Sequence, residues 1–153
     1  MINIYGDVTI DLNGHTITQK GDGQSMNLFI VRNGATLNII DSSADKTGAN
    51  YASLGMFQID AGATVNLFDG KLAVTEHSLR SEKDVSVGVS LGSMNGGTFN
   101  MYGGTIDATS ESDDAKEYIF SGYGVATSVV NIYNGTLIGN LNDVWAGTVN
   151  DLR

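Results

Sequence analysis

Gly97-Thr98-Phe99-Asn100-Met101-Tyr102-Gly103-Gly104-Thr105-Ile106 decides the fold, because the chain writes this phrase repeatedly. It recurs as Gly62-Ala63-Thr64-Val65-Asn66-Leu67-Phe68-Asp69-Gly70-Lys71-Leu72 and as Ser128-Val129-Val130-Asn131-Ile132-Tyr133-Asn134-Gly135-Thr136-Leu137. A less regular copy is Gly34-Ala35-Thr36-Leu37-Asn38-Ile39-Ile40-Asp41. The earliest, Val8-Thr9-Ile10-Asp11-Leu12-Asn13-Gly14-His15-Thr16-Ile17, puts Asp for Asn. Set in register on Asp11, Asn38, Asn66, Asn100 and Asn131, the copies follow at intervals of 27, 28, 34 and 31 residues. A period in this range marks a stack of supersecondary units.

Ile10, Leu37, Val65, Phe99 and Val130 precede the anchors, and Leu12, Ile39, Leu67, Met101 and Ile132 follow them. Apolar residues on both sides of a polar one, at period two, describe a strand with one face buried. Six residues after the anchors stand Ile17, Ala44, Leu72, Ile106 and Leu137, which open a second inward-facing strand beyond a turn. Ala44 is the weak member, since Asp41-Ser42-Ser43 replaces the glycine turn there.

A further apolar stretch precedes each phrase: Leu28-Phe29-Ile30-Val31, Met56-Phe57-Gln58-Ile59, Val87-Gly88-Val89-Ser90-Leu91 and, more weakly, Tyr123-Gly124-Val125-Ala126. Asn33-Gly34, Ala61-Gly62 and Asn95-Gly96-Gly97 supply corners, where Gly and Asn tolerate positive φ. Tyr118-Ile119-Phe120 reads as an apolar patch that packs back from a polar loop.

One repeat therefore reads strand, corner, strand, corner, strand, polar loop. The expected fold is all-β: a right-handed parallel β-helix of about five to six coils, three short strands to each. Residues 1–153 form one such domain. Asn3-Ile4-Tyr5-Gly6 echoes Asn100-Met101-Tyr102-Gly103, and Gly147-Thr148-Val149-Asn150 reopens the phrase shortly before Arg153. Both point to a segment of a longer repeat protein.

Composition agrees. Twenty glycines and no proline suit strands paired on both edges, because proline cannot donate to a ladder. Without cysteine, disulfides contribute nothing. No run of 18 apolar residues argues for membrane insertion, and Asp7 and Asp11 interrupt the one early apolar stretch, so no signal peptide is legible. A formal charge of −9 with eight basic residues excludes a nucleic-acid binder of the ordinary electrostatic kind.

Val8-Thr9-Ile10-Asp11-Leu12-Asn13-Gly14-His15-Thr16-Ile17 resembles a coil of the pectin-lyase-like superfamily of right-handed β-helices. The Gly-Thr-apolar-Asn-apolar-Tyr-Gly-Gly-Thr-Ile phrase resembles repeats of large bacterial cell-surface and secreted proteins with that fold. The resemblance covers nearly the whole chain and implies a secreted or cell-surface location within a longer bacterial protein. The superfamily includes polysaccharide lyases, glycoside hydrolases, phage tailspikes and adhesins, so the fold alone selects no activity.

The anchors Asp11, Asn38, Asn66, Asn100 and Asn131 are expected to form a structural ladder, stacked side chains hydrogen-bonding from strand to strand as amides do in cross-β stacks. Two residues on stand Asn13, Ile40, Phe68, Tyr102 and Tyr133. Exposed, Phe68, Tyr102 and Tyr133 would bind a ligand, presenting ring faces to sugar C–H groups. Alternatively the rings stack on one another at a corner under covering loops.

Asp41, Asp45, Glu111, Asp113, Asp114 and Glu117 are hard oxygen donors that suit calcium. No EF-hand spacing joins them, so a solvated acidic surface is expected, and no cofactor. Asp41 and Asp69, three after their anchors on adjacent coils, are the candidate catalytic carboxylates. Gly103 and Asn134 continue that column, leaving the pair without a third acid, and Asp also starts tight turns through its own side chain. Arg32, Arg80 and Arg153 share no column with acids, and His15 and His77 are far apart.

The expected function is therefore non-catalytic: an adhesive or spacer module with a polysaccharide or host glycan as its ligand. The rivals are a fragment of a polysaccharide lyase or glycoside hydrolase, and a trimeric tailspike-like module. Neither Ile2–Gly6 nor Thr148–Arg153 reads as a cap, so end-to-end self-association is expected, opposed by net charge.

Overall fold

The computed structural model describes residues 1–19, 27–52, 55–74, 85–90, 96–109, 116–121, 127–139 and 147–153. All regular structure among them is strand. The chain runs β1 (Ile2–Ile4), β2 (Val8–Asp11), β3 (Thr16–Thr18), β4 (Asn27–Val31), β5 (Thr36–Ile40), β6 (Ala49–Ala52), β7 (Gly55–Ile59) and β8 (Thr64–Leu67). It continues through β9 (Lys71–Val74), β10 (Val85–Ser90), β11 (Thr98–Met101), β12 (Thr105–Asp107), β13 (Lys116–Ser121), β14 (Val129–Ile132), β15 (Thr136–Ile138) and β16 (Thr148–Asp151).

The strands form three parallel sheets, ordered β1-β4-β7-β10-β13, β16-β14-β11-β8-β5-β2 and β15-β12-β9-β6-β3. From β1 to β15 the chain visits the sheets in rotation, and β16 returns to the six-stranded sheet, so each strand lies beside its counterpart from the previous repeat. This arrangement of short parallel strands is consistent with a parallel β-solenoid.

Alternation sets what fills the interior. In the six-stranded sheet, one inward row is Val8, Leu37, Val65, Phe99, Val130 and Val149. The other is Ile10, Ile39, Leu67, Met101, Ile132 and, at its end, Asp151. The third sheet contributes Ile17, Asn50, Leu72, Ile106 and Leu137. Phenylalanines make a spine through the core, with centroids 5.6 Å apart for Phe29–Phe57 and 5.9 Å for both Phe57–Phe99 and Phe99–Phe120. Asn50 is the exception: fully buried between Ile17 and Leu72 in register, neither atom of its amide has a hydrogen-bond partner.

Corners follow from turn chemistry. Ala35 N–H donates to the Arg32 carbonyl at 2.8 Å and Ala63 N–H to Asp60 at 3.0 Å. Gly34 and Gly62 take φ of 73° and 66° at the third position of these turns, a conformation that costs any residue with a Cβ.

Three expectations are corrected. Ala44 lies in no strand; the third strand of that repeat is β6, whose inward Asn50 hides its pattern. Tyr118-Ile119-Phe120 is not a loop patch but the middle of β13, paired with β10. The expected strand at 123–126 falls outside the described residues. Finally, β2 is shifted by two residues, with Thr9, not Asp11, opposite Asn38.

Candidate binding surface

The outer face of the six-stranded sheet carries the side chains that alternate with the core. One row is Thr36, Thr64, Thr98, Val129 and Thr148. The second is Thr9, Asn38, Asn66, Asn100, Asn131 and Asn150. The third begins at Asp11 opposite Ile40 and continues, one residue past the strand ends, through Phe68, Tyr102, Tyr133 and Leu152.

The second row is a directional amide ladder. Asn66 Nδ2 donates to Asn38 Oδ1 at 2.8 Å, Asn100 to Asn66 at 2.9 Å, Asn131 to Asn100 at 2.9 Å and Asn150 to Asn131 at 2.8 Å. Asn38 Nδ2 in turn donates to Thr9 Oγ1 at 3.4 Å. Each interior amide spends one N–H and one lone pair on its neighbours and keeps one of each for solvent or a ligand. Asp11 stands outside the ladder, a correction to the expected register. Its Oδ1 accepts the N–H groups of Asn13 at 3.0 Å and Ser42 at 2.9 Å. The Ser42 N–H and hydroxyl lead the interactions that hold its carboxyl below the usual value.

The aromatic row combines parts of both expected arrangements. Phe68 and Tyr102 stack with centroids 5.0 Å apart and planes 12° apart; Tyr102 and Tyr133 stack at 5.0 Å and 3°. The three residues are nevertheless 44%, 41% and 43% exposed, so no loop among the described residues covers them. Both faces of Tyr102 are engaged by its neighbours. The row therefore offers ring edges and hydroxyls along its length, with Ile40 beside Phe68 and Leu152 beside Tyr133, unlike the flat platform of ring faces that the sequence suggested.

Glycines place this row close to the next corner. A Cβ on Gly104, at φ 79°, would stand 2.5 Å from the Gly70 carbonyl oxygen, and one on Gly135 2.8 Å from that of Gly104. Only glycine lets three successive corners stack this closely.

Asp41 and Asp69 take different roles. Asp41 is 1% exposed and its carboxylate is fully engaged. Oδ1 accepts from Gly14 N at 2.9 Å, Ser43 N at 3.1 Å and Ser43 Oγ at 2.8 Å, and Oδ2 from Gly48 N at 2.6 Å. Desolvation pushes its pKa up, but the Ser43 hydroxyl and the Gly14, Gly48 and Ser43 N–H groups outweigh it and bring it to about 2. Asp69 is ion-paired with Lys46 Nζ at 3.1 Å, and the same ammonium donates to the Asp41 carbonyl. Asp41 thus pins residues 42–48 to two repeats, and its oxygens have no approach open to a substrate. Sequence spacing missed Lys46, whose positive φ of 52° brings it into this junction.

A pH dependence follows. A carboxyl whose folded pKa lies below the unfolded value stabilises the fold above that unfolded value, near 3.8, and the contribution is lost as pH falls toward about 2. Asp41→Asn would place an amide N–H₂ or its oxygen against donors that need a carboxylate. It is expected to melt below wild type at pH 7 and to lose less stability between pH 4 and pH 2. Thermal melts at these pH values check it; parallel curves for the two proteins would contradict the pinning role.

Among the described residues, no three His, Cys, Asp or Glu side chains converge as metal ligands. Glu111, Asp113 and Asp114, of the acidic residues suited to calcium, lie outside the described residues, as do His77 and Arg80. Asn150 and Leu152 extend the amide and aromatic rows; the phrase Gly147-Thr148-Val149-Asn150 is the signal that finds them. Compared with known proteins, the chain matches no family model, no curated protein and no solved structure.

Proposed function

We propose that this chain is a non-catalytic module, a right-handed parallel β-helix of about five to six coils, from a bacterial surface or secreted protein. Its outer face binds an extended, uncharged glycan. The handedness follows from the strong rule for connections between parallel strands, and the pectin-lyase-like resemblance of Val8–Ile17 supports the assignment.

One observation carries the ligand. From Thr36 to Leu152, the three outward rows hold hydroxyls, amides, rings and aliphatic groups, but no carboxylate, ammonium or guanidinium. In a chain of net charge −9, such a continuous uncharged face favours a neutral partner over an anionic one. The ladder's spare N–H groups and lone pairs match sugar hydroxyls, repeated along the stack. The absence of a cation from these rows weighs against uronate cleavage, and the engaged oxygens of Asp41 weigh against acid–base hydrolysis by an Asp41–Asp69 pair.

Titration calorimetry with neutral and anionic polysaccharides tests this. Binding of a neutral chain, little affected by salt, is expected. Tyr102→Ala should weaken it by about threefold to tenfold, in line with about 0.7–1.4 kcal/mol for a ring contact. Preference for an anionic chain, or indifference to Tyr102, would overturn the ligand assignment. New reducing ends or unsaturated products would overturn the non-catalytic reading.

A further inference from the structure

The outward aromatic row brings two phenols together. Tyr102 and Tyr133 lie 31 residues apart in sequence. Each stands one residue past the end of its strand, and those strands, β11 and β14, pair in register. The two rings lie parallel, with centroids 5.0 Å and planes 3° apart, and both are exposed. On its other face Tyr102 meets Phe68, a ring without a hydroxyl, at 5.0 Å and 12°. Tyr5 and Tyr51 stack on no ring among the described residues.

A phenol gives up an electron and its proton far more readily than a benzene ring does. Of the three stacked rings, only Tyr102 and Tyr133 can therefore become phenoxyl radicals. Two such radicals couple through the ring carbons beside the hydroxyl, the Cε atoms. One C–C bond forms, and the hydrogen on each joined carbon moves to oxygen and restores both phenols. Two tyrosines and one hydrogen peroxide thus give one dityrosine and two waters. The peroxide takes up the two electrons and the two phenolic protons, and a haem peroxidase is the class of catalyst that passes the electrons on. Radicals held on neighbouring strands meet far more often than radicals on separate molecules. Exposure admits the oxidant, and exposed side chains turn fast enough to leave the parallel stack for the edge contact that coupling requires.

We propose that Tyr102 and Tyr133 form a modification site, joined by peroxidase-driven oxidation into a dityrosine that ties two adjacent repeats together. The chain has no cysteine, so no disulfide performs this task. A covalent tie between positions 31 residues apart restricts the unfolded chain, as a disulfide closing a loop of that length does. The site is independent of whether the outer face binds a glycan.

The test exposes the full chain, at high dilution, to a haem peroxidase and hydrogen peroxide. Wild type should gain dityrosine fluorescence and lose the mass of two hydrogens. It should run as a single chain on a denaturing gel, with peptide mapping that joins Tyr102 to Tyr133. Tyr102→Phe and Tyr133→Phe keep the stacked rings, and each should abolish the product. Phe68→Tyr added to Tyr133→Phe should restore it, now between positions 68 and 102. Absence of dityrosine in wild type, a link mapped to any other pair, or coupling between chains in its place would overturn the proposal. Survival of the product in Tyr102→Phe or Tyr133→Phe would do the same. Failure of Phe68→Tyr to restore the link would show that stacking does not select the partners, and would overturn it too.

Discussion

Phe99→Asp is expected to abolish the cooperative fold. Phe99 is fully buried, in register between Val65 and Val130, and touches two other members of the phenylalanine spine. Truncating a core phenylalanine costs about 3–5 kcal/mol. A carboxyl without partners adds about 1–3 kcal/mol or more, even when it avoids charge by taking up a proton. Together these consume most of the roughly 5–15 kcal/mol that holds an ordinary domain together. The expected circular dichroism spectrum has lost its strand signature, and no melting transition remains. A wild-type-like melt would mean that Phe99 does not lie in the core row.

Asn50→Leu should act in the opposite direction. The equivalent positions in the same row hold Ile17, Leu72, Ile106 and Leu137, so leucine restores the pattern of its neighbours. The wild-type amide is fully buried with neither Nδ2 nor Oδ1 partnered. Relieving an unsatisfied buried polar group returns about 1–3 kcal/mol. At about 2–4 °C per kcal/mol for a chain of this size, the melting temperature should rise by several degrees. A fall would show that the amide has a polar partner, such as a sealed water, worth more than the apolar contact.

Much of this architecture could be read from residues. The alternation around Asn66, Asn100 and Asn131 gave strands, faces and the neighbours across the ladder, because three long copies agree position by position. The first repeat shows where such reading stops. A slip of one residue turns every side chain to the other face, but a slip of two leaves the alternation intact. Ile10-Asp11-Leu12 therefore fits the pattern as well as Val8-Thr9-Ile10, and only packing chooses between them. Leu12 then falls beside Asp41, where the Leu12 N–H donates to the Ile40 carbonyl at 2.9 Å. β6 escaped because Asn50 puts a polar residue at the inward position that Ile17, Leu72, Ile106 and Leu137 fill in the other repeats.

The outer face of the six-stranded sheet was half legible. Spacing put Phe68, Tyr102 and Tyr133 in one column, but could not say that the rings would turn their faces to each other. That outcome follows from the interval between strands: rings repeated at about 4.8 Å are close enough to stack, which removes apolar surface from water at little cost in geometry. The role of Asp41 was hidden for another reason. Its partners Gly14, Ser43 and Gly48 come from two different repeats, and no local pattern announces them.

The ladder also says something about size. Its successive partners from Asn38 to Asn131 are 28, 34 and 31 residues apart and the last step, to Asn150, is 19, yet every step joins the same amide atoms at 2.8–2.9 Å, so each round of the chain is laid on the one before it in the same way. The entropy of closing such a loop changes slowly with length, by only about 0.6 kcal/mol for each doubling, so rounds of unequal length cost almost the same. Rounds can then be added or removed whole, each altering stability by a similar step and moving whatever lies beyond by about 4.8 Å. The molecule is graduated like a ruler: its reach can be lengthened or shortened in fixed increments while the chemistry displayed along it is left as it was.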